Sequence, residues 1–328
     1  MPPTAASVFH RRRPAYLLAT AAAALMVTGA MTTGTPAAHA SGAPAAPATR
    51  LAAGEQPPDS FWGDTSSIPE AKNVLTVKIL NKTNGKYPDD QVYWTFNNET
   101  HSIAEQPYLD MPANSAGRMY FHLGAPDGKY SDFIEFTVGD DVFNGNTTRV
   151  DAFAVKLAMR LHAHDGYDVQ VGEDYQTFQE DRAATFQKFR DEVPTEFKAL
   201  ADDDTRIPAP GSHPDFRAGG KYANYLSDYA KSVGIDAPTS DITGCAGVLA
   251  AEPGKCSALN RHVAGLPEAD WSKPELYYKD APANYYAKFW HDHSINNLAY
   301  GFPYDDYAGQ SSFVSHGDPQ WLEVAVGW

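Results

Sequence analysis

Apolar and polar positions alternate with period two along most of the first half of this chain. Residues 74–80, 92–96 and 118–123 are β-rich runs bounded by turn residues, and each predicts a strand. In residues 132–138, Ile134, Phe136 and Val138 share one face, while Phe133, Glu135 and Thr137 share the other. The Ile134 side is the natural core side. Further on, Phe153, Val155, Leu157, Met159 and Leu161 occupy odd positions, with Lys156, Arg160 and His162 at even ones. That alternation predicts a half-buried strand, which Asp165 and Gly166 turn into a hairpin with residues 167–171.

The texture then becomes helical. Thr177 and Glu180 have capping-box spacing, and Phe186, Phe189 and Val193 follow at helical intervals up to Pro194. Tyr222, Tyr225, Leu226, Tyr229 and Val233 mark a second helix. A third is expected to start at Pro282 and to carry Tyr286, Phe289, Trp290 and His293. Short β-like pieces return after residue 297. Strands, then helices, then strands predict a mainly-β fold with an α/β insertion: a β barrel or sandwich plus a mixed α/β lobe. The expected boundaries are 73–165 for the strand domain, completed by 297–328, and 166–296 for the lobe.

The ends and the charge refine this picture. Arg11, Arg12 and Arg13 precede an apolar stretch, and Ala38-His39-Ala40 has the form of a signal-peptidase site, so residues 1–40 are expected to be an export signal. The stretch is short and interrupted for a membrane span. Residues 41–72, rich in Ala and Pro, predict a linker or loose arm. The formal net charge is −15, and removal of the arginine-bearing signal leaves the rest more acidic still. Such a surface repels phosphate backbones and anionic lipid, which argues against nucleic-acid and membrane partners. The only two cysteines, Cys245 and Cys256, are expected to form a disulfide in an exported chain. Eighteen Tyr and six Trp, many beside Asn, Ser or Thr, suit a polysaccharide groove as well as they suit a core.

Two carboxylates, Glu135 and Asp151, interrupt apolar runs on either side of a segment, 139–146, that reads as a loop. Paired as a hairpin, the flanking strands would aim both at one groove. Glycosidic cleavage needs such a pair, roughly 5–5.5 Å apart for retention and roughly 6.5–9.5 Å for inversion. The sequence does not set the register, so both outcomes stay open. The competing reading is structural: Arg149 neutralises either acid, or Asp151 is a partly buried member of the Phe153–Leu161 face. His162 with His164, His291 with His293, and Asp305 with Asp306 lack the spacing or further ligands of a metal centre, and no metal site is predicted.

Several stretches resemble glycoside hydrolase family 64, the bacterial β-1,3-glucanases: residues 92–98, 132–153, 157–168, 289–291 and 300–306. The likeness is collinear from about residue 74 to residue 328. A more distant likeness, in residues 135–153, around Cys256 and in 300–306, is to thaumatin-like β barrels. The resemblance implies a barrel built from the first and last strands, with a wide groove against the lobe. It implies a secreted endo-acting, inverting hydrolase of β-1,3-glucan (fungal cell wall, curdlan or laminarin type) that releases long laminari-oligosaccharides. Glu135 takes the position of the general acid and Asp151 that of the general base, with Thr137, Asn146, Thr148 and Arg149 lining the groove. No metal or organic cofactor enters this chemistry, and a monomer is expected. The alternative is a thaumatin-like protein that binds β-glucan without cutting it.

Overall fold

A computed structural model describes residues 54–328. The expected export signal and the first part of the expected linker lie outside the described residues. Five strands come first: β1 (Leu75–Lys82), β2 (Val92–Phe96), β3 (Glu99–Ser102), β4 (Tyr108–Met111) and β5 (Ser115–Leu123). Next are β6 (Tyr130–Val138), β7 (Val142–Thr147), β8 (Ala152–Phe153), β9 (Lys156–Ala163) and β10 (Asp168–Gly172). The short β11 (Ile207–Pro208) lies among the helices, and β12 (Phe313–Gly317) and β13 (Pro319–Gly327) close the chain.

Two large sheets result. Of these, one has the order β10-β9-β13-β1-β4, the other β12-β7-β6-β5-β2-β3. They share no strand, so the expected barrel or sandwich resolves into a sandwich among the described residues. β1 runs parallel to β13, which sets the first and last strands side by side. The core between the sheets follows the alternation. Val77, Met159, Leu161 and Val324 on one sheet pack with Trp94, Phe121, Ile134 and Phe136 on the other, in one buried cluster.

The first even positions of β9, Lys156 and Ala158, depart from the half-buried reading. Lys156 is fully buried and donates to the carbonyls of Glu180 and Trp328; burial pulls its pKa down to about 8. The reason is a second layer. Phe61 and Trp62 of the supposed loose arm are buried with Ala158, Phe178 and Ala325 on the outer face of this sheet. Residues 54–72 are thus part of the fold, anchored where Gly54 donates to Asp174 and Tyr175 to the carbonyl of Glu55.

The segment after β6 also differs from expectation. The turn is confined to residues 139–141, closed by the Gly139 amide on the Val142 carbonyl, and residues 142–147 form β7. Gly145 is required there, because a Cβ would meet the Phe143 ring at 2.6 Å and the Glu135 carbonyl at 3.1 Å.

In the lobe, Asp174 rather than Thr177 caps the first helix, Tyr175–Gln179, and a second, Arg182–Glu192, restarts behind Asp181. Only Ser227–Ser232 of the second expected helix is helical. The third starts at Tyr285, not Pro282, with the Asn284 side chain accepting from the Ala287 amide. Phe186, Phe189, Phe197, Phe289 and Trp290 form one lobe core. A second surrounds Cys245 and Cys256, which are joined by the expected disulfide.

Candidate active site

Glu135 sits in the middle of β6, on the face turned away from the sandwich core. Arg118 of β5 is directly opposite it on one side and Asn146 of β7 on the other. Phe133 and Thr137 share this face, as the alternation requires. Thr137 is exposed, and the buried Oδ1 of Asn146 has no hydrogen-bond partner among the described residues, leaving an acceptor beside Glu135.

Asp151 does not continue a strand. The ladder of β7 ends at Thr147, and Asp151 occupies a bend before the two-residue β8. Parity with Phe153 is lost across that bend, and the Asp151 side chain is 54% exposed instead of partly buried. Its backbone is tied to the lobe, its carbonyl accepting from the Ala209 amide at 3.0 Å next to the β8–β11 ribbon. The carboxylate therefore projects where the six-stranded sheet meets the lobe.

One guanidinium joins the two acids. Arg118 Nε donates to Glu135 at 2.9 Å, and its Nη1 donates to Asp151 at 3.0 Å. The same group lies 4.0 Å from the centre of the Phe133 ring. Half-burial works against the Arg118 charge, but Glu135 and Asp151 outweigh it and raise the pKa, with the Tyr120 hydroxyl adding to the effect. Exposed ion pairs of this kind stabilise a fold by only about 0–1 kcal/mol. The arrangement is thus a matter of geometry more than stability. Sequence reading missed Arg118. The available signal was its parity with Tyr120 and His122, opposite Met119 and Phe121, on a strand next to that of Glu135.

Arg149 has a different place from the one expected. Its side chain is 3% exposed and turns inward, donating to Asp132 at 2.7 Å, to both Glu173 oxygens at 2.7 Å and to the Val155 carbonyl. With these donors engaged, Arg149 neither lines the groove nor neutralises Glu135 or Asp151. Asp132 also accepts from the Ala154 and Val155 amides, yet burial pushes its pKa up to about 6. Thr148 is buried as well, its hydroxyl accepting from the Val150 amide. Of the six site residues read from sequence, Glu135, Thr137, Asn146 and Asp151 come together, while Thr148 and Arg149 lie beneath them.

Other groups frame the face. Of four large hydrophobic side chains left exposed among the described residues, Tyr120 and Phe313 flank the acids on this same sheet face. Tyr300 is close by: burial, reinforced by Asp306, Asp305 and Glu135, holds its phenol well above the usual tyrosine range. Asp305, by contrast, is fully buried. It accepts from Arg261 and His291 side chains and from the Gly301 amide, which shapes the loop that carries Tyr300. His291 uses both ring nitrogens, one on Asp305 at 3.0 Å and one on the Asn297 carbonyl at 2.8 Å. Two acceptors call for two N–H groups, and although burial opposes the charge, Asp305 raises the His291 pKa. His293 pairs instead with Glu192 at 2.8 Å.

A family model described as Glyco_hydro_64, Beta-1,3-glucanase, matches residues 127–235 and 238–326. The chain belongs to this family. It is similar to the crystal structure of a family 64 laminaripentaose-producing β-1,3-glucanase from Paenibacillus barengoltzii, with a TM-score of 0.73 and 36% identity over 81% of this chain and 78% of that one. A structure of the Paenibacillus enzyme complexed with laminarihexaose matches with a TM-score of 0.73 and 35% identity, over 82% and 78% of the two chains. Among curated proteins, a glucan endo-1,3-beta-glucosidase of Cellulosimicrobium cellulans is 30% identical over 48% of this chain. The matched part spans 27% of that relative's length. The matched residues include both Glu135 and Asp151.

Proposed function

We propose that this chain is a secreted endo-β-1,3-glucanase that cuts by single displacement, with Glu135 as general acid and Asp151 as general base. The observation that carries the reading is the meeting of these two carboxylates on one exposed face, from two separate elements and across one guanidinium. Each acid accepts from a different nitrogen of that guanidinium, at 2.9 and 3.0 Å. In the reaction, Glu135 gives its proton to the leaving glycosidic oxygen. Asp151 takes a proton from water, which attacks the anomeric carbon from the opposite side and inverts its configuration. Asn146 and Thr137 supply polar contacts beside the acid, and the exposed rings of Tyr120 and Phe313 supply stacking surfaces for sugar on either side. Export is supported by the signal-like pattern of residues 1–40.

The test is a product profile on insoluble β-1,3-glucan, with early products read by NMR for anomeric configuration. Soluble long oligosaccharides that first appear as the α-anomer support the reading. Protein that pellets with the glucan and releases nothing soluble would make it a binding protein, and β-anomeric first products would replace inversion with retention.

A further inference from the structure

Glu135 and Asp151 are brought to one face by different means, Glu135 by the β6 ladder and Asp151 by a bend tied to the lobe. Nothing in either backbone arrangement fixes the direction in which the two side chains point. Two carboxylates that share a face repel one another, so unrestrained they turn apart. Arg118 prevents this. Its Nε and Nη1 hold one oxygen of each acid at 2.9 and 3.0 Å, and no other Lys, Arg or His among the described residues is ion-paired to either. The guanidinium is itself held over the Phe133 ring, 4.0 Å from its centre. A planar fork with separate donors on different nitrogens serves two acceptors at once, which a lysine ammonium on a flexible stem does less well.

We infer that Arg118 is a positioning residue for the reaction: it fixes the aim and spacing of the acid and the base. The inference rests on the roles proposed above for Glu135 and Asp151. It acts on the charge balance of the site as well as on geometry, because it is the cation beside both carboxylates. Other titratable groups near the pair are Tyr120 beside Arg118, Tyr300 near Glu135 and Tyr286 near Asp151. None of them is a cation, so nothing replaces Arg118 when it is removed.

The experiment compares wild type with Arg118→Ala, Arg118→Lys and Arg118→Met on soluble β-1,3-glucan oligosaccharides. Arg118→Met retains an apolar cover over Phe133 and serves as the readout if the alanine variant does not fold. Loss of aim by about an ångström costs on the order of 10²-fold in kcat. The expected result is a loss of that size in Arg118→Ala with KM changed only a few-fold, and partial recovery in Arg118→Lys. Added guanidinium ion at millimolar concentration is expected to restore part of the rate to Arg118→Ala.

Wild-type kcat in Arg118→Ala and Arg118→Met overturns the inference. So does a loss of kcat that guanidinium does not restore in any part, since that is the signature of a merely structural change. Glu135→Gln run in parallel separates the two levels. If that variant is inactive and the Arg118 variants behave as wild type, only the inference fails; if it is fully active, the catalytic reading fails with it.

Discussion

Arg149 grips Glu173 with two parallel hydrogen bonds of 2.7 Å, buried beneath the bend that presents Asp151 two residues later. The pair does more than fill space. Glu173 also accepts from the Leu157 amide, and the third Arg149 nitrogen holds Asp132, so β6, β9 and the strand end of β10 converge on one guanidinium. The Arg149 backbone adds two ties, its amide donating to the Tyr300 carbonyl and its carbonyl accepting from Tyr286. Asp151 is thereby set by its neighbour's contacts as much as by its own.

Arg149→Met is therefore expected to cost about 3–5 kcal/mol of stability, because it strands two buried carboxylates without their counter-charge. Chemical denaturation reads this directly. Glu173→Gln keeps the shape and one set of acceptors and is expected to cost less. A loss below about 1 kcal/mol in Arg149→Met would show that the buried network is not an organising element of the fold.

The buried pair of His291 and Asp305 predicts a pH window for stability. The His291 pKa is raised above 6.5, so its contribution is complete below that pH and is lost as pH rises through the folded value. The Asp305 pKa is lowered below 3.8, chiefly by His291 and Arg261 against the opposing effect of burial. Its contribution is complete above that pH and is lost as pH falls through the folded value. Between these limits both contribute in full. His291→Gln is expected to destabilise the protein most near pH 5–6 and to flatten the alkaline decline of Tm. An unchanged alkaline slope in the variant would mean that His291 is not charged in the fold.

How much of this was legible in the sequence depends on how local each feature is. β6 was legible because Ile134, Phe136 and Val138 alternate against Phe133, Glu135 and Thr137, and pairing with neighbours on both sides keeps that alternation. Asp151 was legible as a residue of interest but not as a location, since the bend at 148–151 is held by Tyr300 and Ala209, far away in sequence. Arg118 takes the place beside the acids that proximity suggested for Arg149. Arg149 is near Asp151 in the chain yet points inward, while Arg118 is 33 residues from it and reaches it across the sheet. Register between strands decides such matters, and register is not written in any one strand. The arm at 54–72 was misread because composition there is dominated by small and polar residues; two aromatics, Phe61 and Trp62, carry its packing.

That arm supplies a further prediction. Trp62 is fully buried against the outer face of the sheet. Trp62→Ala is expected to cost about 3–5 kcal/mol, from lost transfer energy and the cavity left behind. A chain beginning at residue 74 should be less stable than one beginning at residue 54 by at least as much. Equal thermal stability of the two would restore the linker reading.

The most direct measurement is the rate of reducing-end release from β-1,3-glucan by wild type, Glu135→Gln and Asp151→Asn, with co-sedimentation on the insoluble polymer as the binding control. Both variants are expected to bind as wild type does and to lose on the order of 10²–10⁴-fold in kcat, the usual contribution of a placed acid or base. Turnover within a few-fold of wild type in either variant would contradict the assignment of this pair as the cutting residues.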